Sequence, residues 1–356
     1  MNQEHFIKPK TIKADLPLET FANVTYNTFI QNHKELKFML IVMLEPLGVS
    51  EQTVLELAKP LIDLGHELVF CGEKLNEAEK IERAKDADVL IVANSPLSED
   101  IILAAPNLKM ISVAFTGVDH IPAICNEKGI LVCNAQGYCT DAVAELTFGL
   151  ILAVYRNILP CDARTRESST KDGLVGNEIA GKTIGIVGTG AIGCRVAEIG
   201  KVFGCELLGY SRTEREEAKK LGVKYCSLDE LMKKADIITL HTPLTAETKL
   251  LINKERIGMM KPNAIIVNMA RGGVIDSQAL AEALNSGKIA GAGIDVFENE
   301  PPVEANHPLL HSKNTVLTPH VAFATKESMV RRCGMVVDNI TAWLDGKPIN
   351  VKMGVK

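Results

Sequence analysis

From residue 38 onward, short apolar runs alternate with longer stretches in which apolar and polar residues recur at helical spacing. FMLIVML (38–44), ELVF (67–70), ADVLIVA (87–93), LKMISVA (108–114) and ILVCN (130–134) are too continuously apolar for a sheet with one wet face. They predict strands covered on both sides, and strands of that kind separated by helix-like segments make a parallel α/β sheet. A long helix-like segment follows, TDAVAELTFGLILAVYRNI (140–158), with Thr140 as its expected cap and Glu145 in its early turns. The alternation then starts afresh with KTIGIVG (182–188), CELLGY (205–210), ADIITL (235–240), AIIVNM (264–269), IAGAGIDV (289–296) and TVLT (315–318). This second series reads as a doubly wound nucleotide domain. A last helix-like stretch covers 324–344, and residues 1–36 show no clear periodicity.

Composition narrows the class. The chain has 356 residues, 46% of them apolar and 23% charged, which is enough for about two globular domains. A net charge of −5, with no basic run, argues against nucleic acid or an anionic membrane as partner and favours a small molecule. Nine cysteines occur without a CxxC pair or a Cys/His cluster at zinc spacing, so no metal is expected, and free thiols in a reducing compartment are. The N-terminus lacks the apolar core of a secretory signal, and the longest apolar stretch, LTFGLILAVY (146–155), is about half a membrane span. A cytoplasmic location is the expectation.

Two kinds of motif carry chemistry. TIGIVGTGAIG sets Gly188, Gly190 and Gly193 in G-x-G-x-x-G spacing between a strand and a helix. The first glycine allows a tight turn, the second close approach of backbone to a pyrophosphate, and the third close packing of helix on strand. The helix N-terminus adds N–H groups and partial positive charge. The second kind comprises VNMARGGVIDSQAL (267–280), GIDVFENEPP (293–302) and VLTPHVAF (316–323), each placing a polar residue at the end of an apolar strand. Arg271, Glu300 and His320 taken singly are also explained as a solvated turn, a loop carboxylate and a satisfied histidine. Together they suit reduction of a 2-oxo acid: hydride arriving at the carbon leaves an alkoxide that a histidinium protonates. A neighbouring carboxylate favours the protonated ring and orients it. An arginine grips the substrate carboxylate and polarises the ketone.

These segments, with VGTGAIG and HTPLTAETKLLI, resemble the signature segments of the D-isomer-specific 2-hydroxyacid dehydrogenases over roughly residues 38–352, in the family's order. The resemblance implies that Arg271 binds substrate, His320 is the acid/base and Glu300 its partner. It also implies that Ala191, Ile192, Thr242, Pro243, Thr248, Met269 and Asp295 line the cofactor, with Asp295 near the nicotinamide carboxamide; a strand-end cap is the plainer alternative for Asp295. The implied fold is two Rossmann-like or flavodoxin-like domains with parallel sheets. A nucleotide domain (140–323) is inserted in a discontinuous substrate domain (1–139 and 324–356), in which 1–36 is an extension, and the hinges lie near Thr140 and Phe323.

On the substrate side, AFTGVDHI (114–121) resembles the family's carboxylate loop, with the backbone N–H groups of Thr116 and Gly117 in that role. Phe115 stands where glycine is common, and both lining the pocket and packing beneath it remain open. Asn94 and Ser95 in ANSPL (93–97) belong either to the pocket or to a plain turn. No basic cluster points to a phosphorylated substrate, and the appended domain of longer phosphoglycerate dehydrogenases is not expected after the returning helix. Reduction of a small 2-oxo acid of the glyoxylate or hydroxypyruvate class is therefore expected. The alternatives are a dinucleotide-binding corepressor on the same scaffold, or a dehydrogenase of another small acid; formate-type enzymes pair their histidine with glutamine, which Glu300 opposes. A homodimer through the nucleotide domain is expected from the family, and the apolar helix from Ala142 to Tyr155 is either available for it or internal.

LLGYSRTE (207–214) bears on the coenzyme. Ser211 lies 18 residues beyond Gly193 (211 − 193), close to where an acidic residue grips ribose in NAD-selective sites. Without a carboxylate there, Arg212 can bond a 2′-phosphate, with Ser211 and Thr213 adding hydroxyls, so NADP(H) is favoured. If Arg212 instead pairs with Glu214 or Glu216, the site is a permissive NAD(H) site.

Overall fold

Continuous apolar runs of three to five residues form the interior strands of two separate parallel sheets. A computed structural model of the chain describes residues 11–12, 38–300 and 302–354. The expected N-terminal extension lies outside the described residues except for 11–12. Among the described residues the strands are, in chain order, β1 (Thr11–Ile12), β2 (Leu40–Met43), β3 (Glu67–Val69), β4 (Val89–Val92), β5 (Met110–Val113), β6 (Leu131–Asn134), β7 (Thr183–Val187), β8 (Glu206–Tyr210), β9 (Lys224–Tyr225), β10 (Ile237–Leu240), β11 (Ile265–Asn268), β12 (Gly291–Ile294), β13 (Thr315–Leu317) and β14 (Val351–Met353). The chain divides into one unit of Met1–Tyr138 with Lys326–Lys356 and a second of Cys139–Thr325.

The first unit has the strand order β1-β3-β2-β4-β5-β6-β14. Its five central strands run parallel, and the short β1 and β14 close the edges antiparallel. The helix Lys326–Leu344 belongs here: Ser112 donates to the Val336 carbonyl at 3.1 Å, and Asn339 Nδ2 donates to the Asn134 carbonyl at 3.0 Å. Ile41, Met43, Met110, Val336 and Ile340 are fully covered in its core, each side chain contributing about 1.5–3 kcal/mol by burial.

The second unit is parallel throughout, ordered β13-β12-β11-β10-β7-β8-β9. Strand order reverses between β7 and β10, and ligands of open α/β sheets bind outside the carboxyl ends at such a point. Register makes those ends level. Val187 pairs with Tyr210 and with Leu240, Leu240 with Asn268, and Asn268 with Ile294. The residues that follow each strand in this row are Gly188, Ser211, His241, Met269 and Asp295.

The long helix departs from the sequence expectation at both ends. It spans Thr140–Tyr155, and Cys139 holds the N-cap position expected for Thr140. Asn157 then adopts a left-handed conformation (φ 52°) and a second helix, Ile158–Arg166, leaves at 60°. Asparagine tolerates that conformation better than most side chains, which allows the break where the apolar periodicity alone runs on. Among the described residues no single helix is long and apolar enough to cross a membrane.

Candidate functional site

The glycine turn is built by backbone crowding. Gly188 has φ 96°, and a Cβ there would lie 2.7 Å from the His241 carbonyl oxygen; at Gly193 a Cβ would lie 2.1 Å from the Gly188 oxygen. Gly190 is the opposite case: nothing stands within 4 Å of its missing Cβ. It caps the twelve-residue helix Ala191–Val202, in which Ala191 is exposed and Ile192 half-buried, so the first N–H groups face open space beside the turn. That cradle fits a pyrophosphate, where a side chain at 190 would intrude and a helix N-terminus favours negative charge.

Next along the row, β10 delivers His241, Thr242 and Pro243. The Thr248 hydroxyl receives the Thr245 N–H at 2.7 Å and donates to the Pro243 carbonyl at 2.6 Å, closing this segment into a turn. His241 is a residue the sequence reading passed over. The residue as a whole is partly exposed, but both ring nitrogens are covered and meet no hydrogen-bond partner among the described residues. Burial lowers its pKa to about 3, so the ring is neutral. A lone histidine directly after an apolar strand was the available signal.

Beyond β11, Met269 is buried and Asn268 clasps the turn that follows, receiving the Ala270 N–H at 3.0 Å and donating to the Arg271 carbonyl at 3.0 Å. Arg271 Nη1 donates to the Ala270 carbonyl at 2.8 Å. Gly272 packs on the next loop so closely that a Cβ would lie 2.0 Å from the Phe297 carbonyl carbon, which places the Arg271 turn against the loop that carries Glu300. That loop is braced by Glu298, which receives Ser277 Oγ at 2.6 Å and shares a 2.9 Å contact with His307 Nε2. Burial opposes the charge on Glu298, but the bonds from Ser277 and His307 outweigh it and hold the carboxyl below its usual range.

Glu300 and His320 meet. Glu300 Oε1 lies 2.6 Å from His320 Nδ1, with both side chains mostly covered, and Glu300 Oε2 receives the Phe297 N–H at 3.0 Å. The His320 backbone is left-handed (φ 53°), and its ring stands edge-on to Phe323 at 5.6 Å. Asp295 shapes this segment. Its Oδ1 receives Thr318 Oγ1 at 2.6 Å and the Val321 N–H at 2.9 Å, its Oδ2 the Ala322 N–H at 3.0 Å, and its carbonyl the His320 N–H at 2.7 Å. Burial raises the Asp295 pKa despite these bonds. One sheet edge thus carries Gly188 to Gly193, Thr242, Pro243, Met269, Arg271, Asp295, Glu300 and His320.

At the tip of β8, Ser211 is half-buried and Arg212 and Thr213 are exposed. Lys219 pairs with both Glu214 and Glu216 at 2.9 Å, so the partners considered for Arg212 are taken by another cation. Arg212 instead acts at a distance on Glu247, whose carboxyl is lowered first by the Thr245 hydroxyl and also by this guanidinium.

The remaining candidates lie in the first unit. Phe115 is buried and packs on Tyr138 with ring centroids 6.3 Å apart. Thr116 and Gly117 are half-buried, and the Thr116 carbonyl receives Asn134 Nδ2 at 2.5 Å. Asn94 is exposed, and its turn hangs on buried Glu45, which receives the Ala93 and Ser95 N–H groups at 3.2 and 3.1 Å.

Residues 148–322 match the family model of the D-isomer specific 2-hydroxyacid dehydrogenase, NAD binding domain. A glyoxylate reductase of Aeropyrum pernix is 41% identical over 278 residues, 75% of this chain and 83% of that protein. Among solved structures, a D-lactate dehydrogenase of Aquifex aeolicus with NAD and lactic acid matches with TM-score 0.76 and 32% identity over 89% of this chain and 100% of that one. An acyclic imino acid reductase in complex with NADPH and D-Arg matches with TM-score 0.78 and 31% identity over 88% of this chain and 100% of that one. With a nicotinamide-dinucleotide domain and relatives that are reductases and dehydrogenases of 2-hydroxy acids, the chain is an oxidoreductase that belongs to the D-isomer-specific 2-hydroxyacid dehydrogenase family.

Proposed function

We propose that the protein reduces a small 2-oxo acid of the glyoxylate or hydroxypyruvate class to the D-2-hydroxy acid, with NADPH preferred over NADH. The observation that carries the reading is the 2.6 Å pair of Glu300 and His320 on the same sheet edge as the glycine turn. The dinucleotide, when bound, supplies the hydride. Arg271 holds the substrate carboxylate through its guanidinium and draws electron density toward the carbonyl oxygen. Glu300 accepts a hydrogen bond from Nδ1–H of His320, which fixes the ring and leaves Nε2 as the nitrogen that delivers a proton to the alkoxide. The parts given to Thr116, Gly117, Phe115 and Asn94 in recognising substrate rest on their sequence motifs alone. The name of the Aeropyrum relative supports the glyoxylate class.

Coenzyme preference rests on the strand tip. No carboxylate stands at 211 to repel a 2′-phosphate, and Arg212 is exposed with Glu214 and Glu216 held by Lys219. A structural relative in complex with NADPH supports this reading, beside another in complex with NAD. Assembly as a homodimer through the second unit belongs to the same proposal, supported by the apolar Ile158, Leu159 and Val175, which are 49%, 53% and 88% exposed; sedimentation at micromolar concentration reads it directly.

The test is a set of initial rates with NADPH and NADH against glyoxylate, hydroxypyruvate, pyruvate and a bulky 2-oxo acid. Turnover of the small acids is expected, with His320→Ala folded but slowed about 100-fold or more, as general acid–base groups contribute about 10²–10⁴. Tight coenzyme binding without turnover of any acid would instead favour a dinucleotide-binding corepressor.

A further inference from the structure

Tyr225 ends β9, the edge strand of the second sheet, and no step above uses it. Its hydroxyl receives the Arg215 backbone N–H at 2.9 Å and shares a second hydrogen bond with Thr189 Oγ1 at 2.6 Å. Thr189 is the buried residue between the first two glycines of the turn. Arg215 closes the polar segment that begins at Ser211. One phenol oxygen therefore ties the phosphate turn to the segment that carries the 2′-phosphate candidates.

The sheet is built to allow this bridge. Tyr225 pairs across strands with Gly209, and a Cβ at 209 would lie 3.3 Å from Thr189 Cγ2 and 3.4 Å from Tyr225 Cε1, besides 2.5 Å from Val223 Cγ1. A side chain there would collide with Val223 and crowd the threonine, while the tyrosine ring already stands at contact distance, so glycine leaves the room in which the bridge forms. The segment itself has few other supports. Ser211, Arg212 and Thr213 make no hydrogen bond among the described residues, and the segment is held from its ends: by the Tyr210 carbonyl, which receives the Gly188 N–H at 2.7 Å, by the exposed Glu214–Lys219 pair, and by the Arg215 N–H on Tyr225, the tie among these that reaches the glycine turn from the far end.

We infer that Tyr225 is a positioning residue that sets coenzyme specificity, by fixing Ser211–Arg215 against the glycine turn. The inference rests on the reading of that segment as the adenosine end of the coenzyme site. A segment pinned in the folded protein does not have to be ordered again on binding, and the saving falls to the coenzyme whose phosphate uses the segment. The nicotinamide end gains nothing from it.

The experiment compares wild type, Tyr225→Phe and Arg212→Ala by calorimetric titration with NADPH, NADH, adenosine 2′,5′-bisphosphate and 5′-AMP, alongside kcat, KM and Tm. The phenylalanine keeps the ring over Gly209 and removes only the bridging oxygen. Expected is a weakening of NADPH and of the bisphosphate by about threefold to tenfold, the worth of one hydrogen bond, with NADH and AMP changed less than about twofold on the same scale and kcat unchanged. Equal weakening of all four ligands, or none, overturns the inference. If Arg212→Ala leaves the NADPH-to-NADH ratio untouched, the proposed role of Arg212 fails, while the Tyr225→Phe ratio still decides the present claim. Should Tyr225→Phe not fold, Thr189→Val removes the same bridge from the other side and is read by the same ligand ratios.

Discussion

His320 holds a left-handed backbone that costs a non-glycine residue about 1–3 kcal/mol, and residues keep such a conformation only where their surroundings impose it. Here Asp295 imposes it, through three hydrogen bonds to its carboxylate from Thr318, Val321 and Ala322 and one from His320 to its carbonyl. In the sequence Asp295 reads as a coenzyme residue by family resemblance or, more plainly, as a strand-end cap. The loop partners lie 23 to 27 positions downstream, and no local spacing announces them. Asp295→Asn should expose the difference between the two roles. An amide keeps the shape but turns an N–H toward a backbone donor, and losing charge-assisted bonds costs about 1.5–3 kcal/mol. For a domain of this size Tm should fall by roughly 3–12 °C, with kcat falling as His320 loses its setting. A variant of normal Tm with a raised coenzyme KM alone would leave Asp295 as a coenzyme contact and remove its part in the loop.

Among elements, the parallel strands were the most legible, because burial on both faces writes them as unbroken apolar runs: each of the eleven runs read from sequence contains a strand. β1, β9 and β14 were missed. They are edge strands of two or three residues, KY and VKM among them, and one wet side leaves no apolar run to read. The glycine turn was legible as a spacing, but the division of labour within it was not. Gly193→Ala drives a Cβ to 2.1 Å from a carbonyl oxygen that has no room to yield, so it should lose soluble folded protein or lower Tm by several degrees. Gly190→Ala meets nothing within 4 Å, so its fold and Tm should stay near wild type while affinity for either coenzyme falls about tenfold or more, the methyl standing where the pyrophosphate approaches. Titration of both variants with NADPH and NADH, beside thermal melts, reads the contrast; equal behaviour of the two would show that crowding in the turn does not assign them different work.

At the scale of the whole molecule, two sheets with two separate cores make a single unfolding free energy the wrong quantity, since each unit can melt in its own transition. His241 gives the second unit a pH signature of its own. Its folded pKa is lowered by burial from 6.5 to about 3, so the folded state binds that proton far more weakly than the unfolded chain does. The contribution to stability is therefore complete above about pH 6.5 and is lost progressively as pH falls toward 3. Glu298 works in the same direction at lower pH: its carboxyl sits below the ordinary value of 4.5, so its share is present above that value and disappears as the pH drops through the folded pKa. The two are separable because only His241 titrates between pH 6.5 and 5. His241→Leu replaces a ring whose nitrogens meet no partner among the described residues with an apolar side chain of similar bulk, a change that is nearly neutral where the ring is uncharged. Calorimetry from pH 8 to pH 5 should then show the wild-type transition of the second unit moving down by a few degrees below about pH 6.5, on the scale of about 2–4 °C per kcal/mol. The variant's transition should stay flatter, and the first unit's transition should be the same in both proteins. Parallel pH curves for the two proteins would mean that the folded chain admits the proton to His241 without opening, and that the covered nitrogens are not what limits the stability of the second unit in acid.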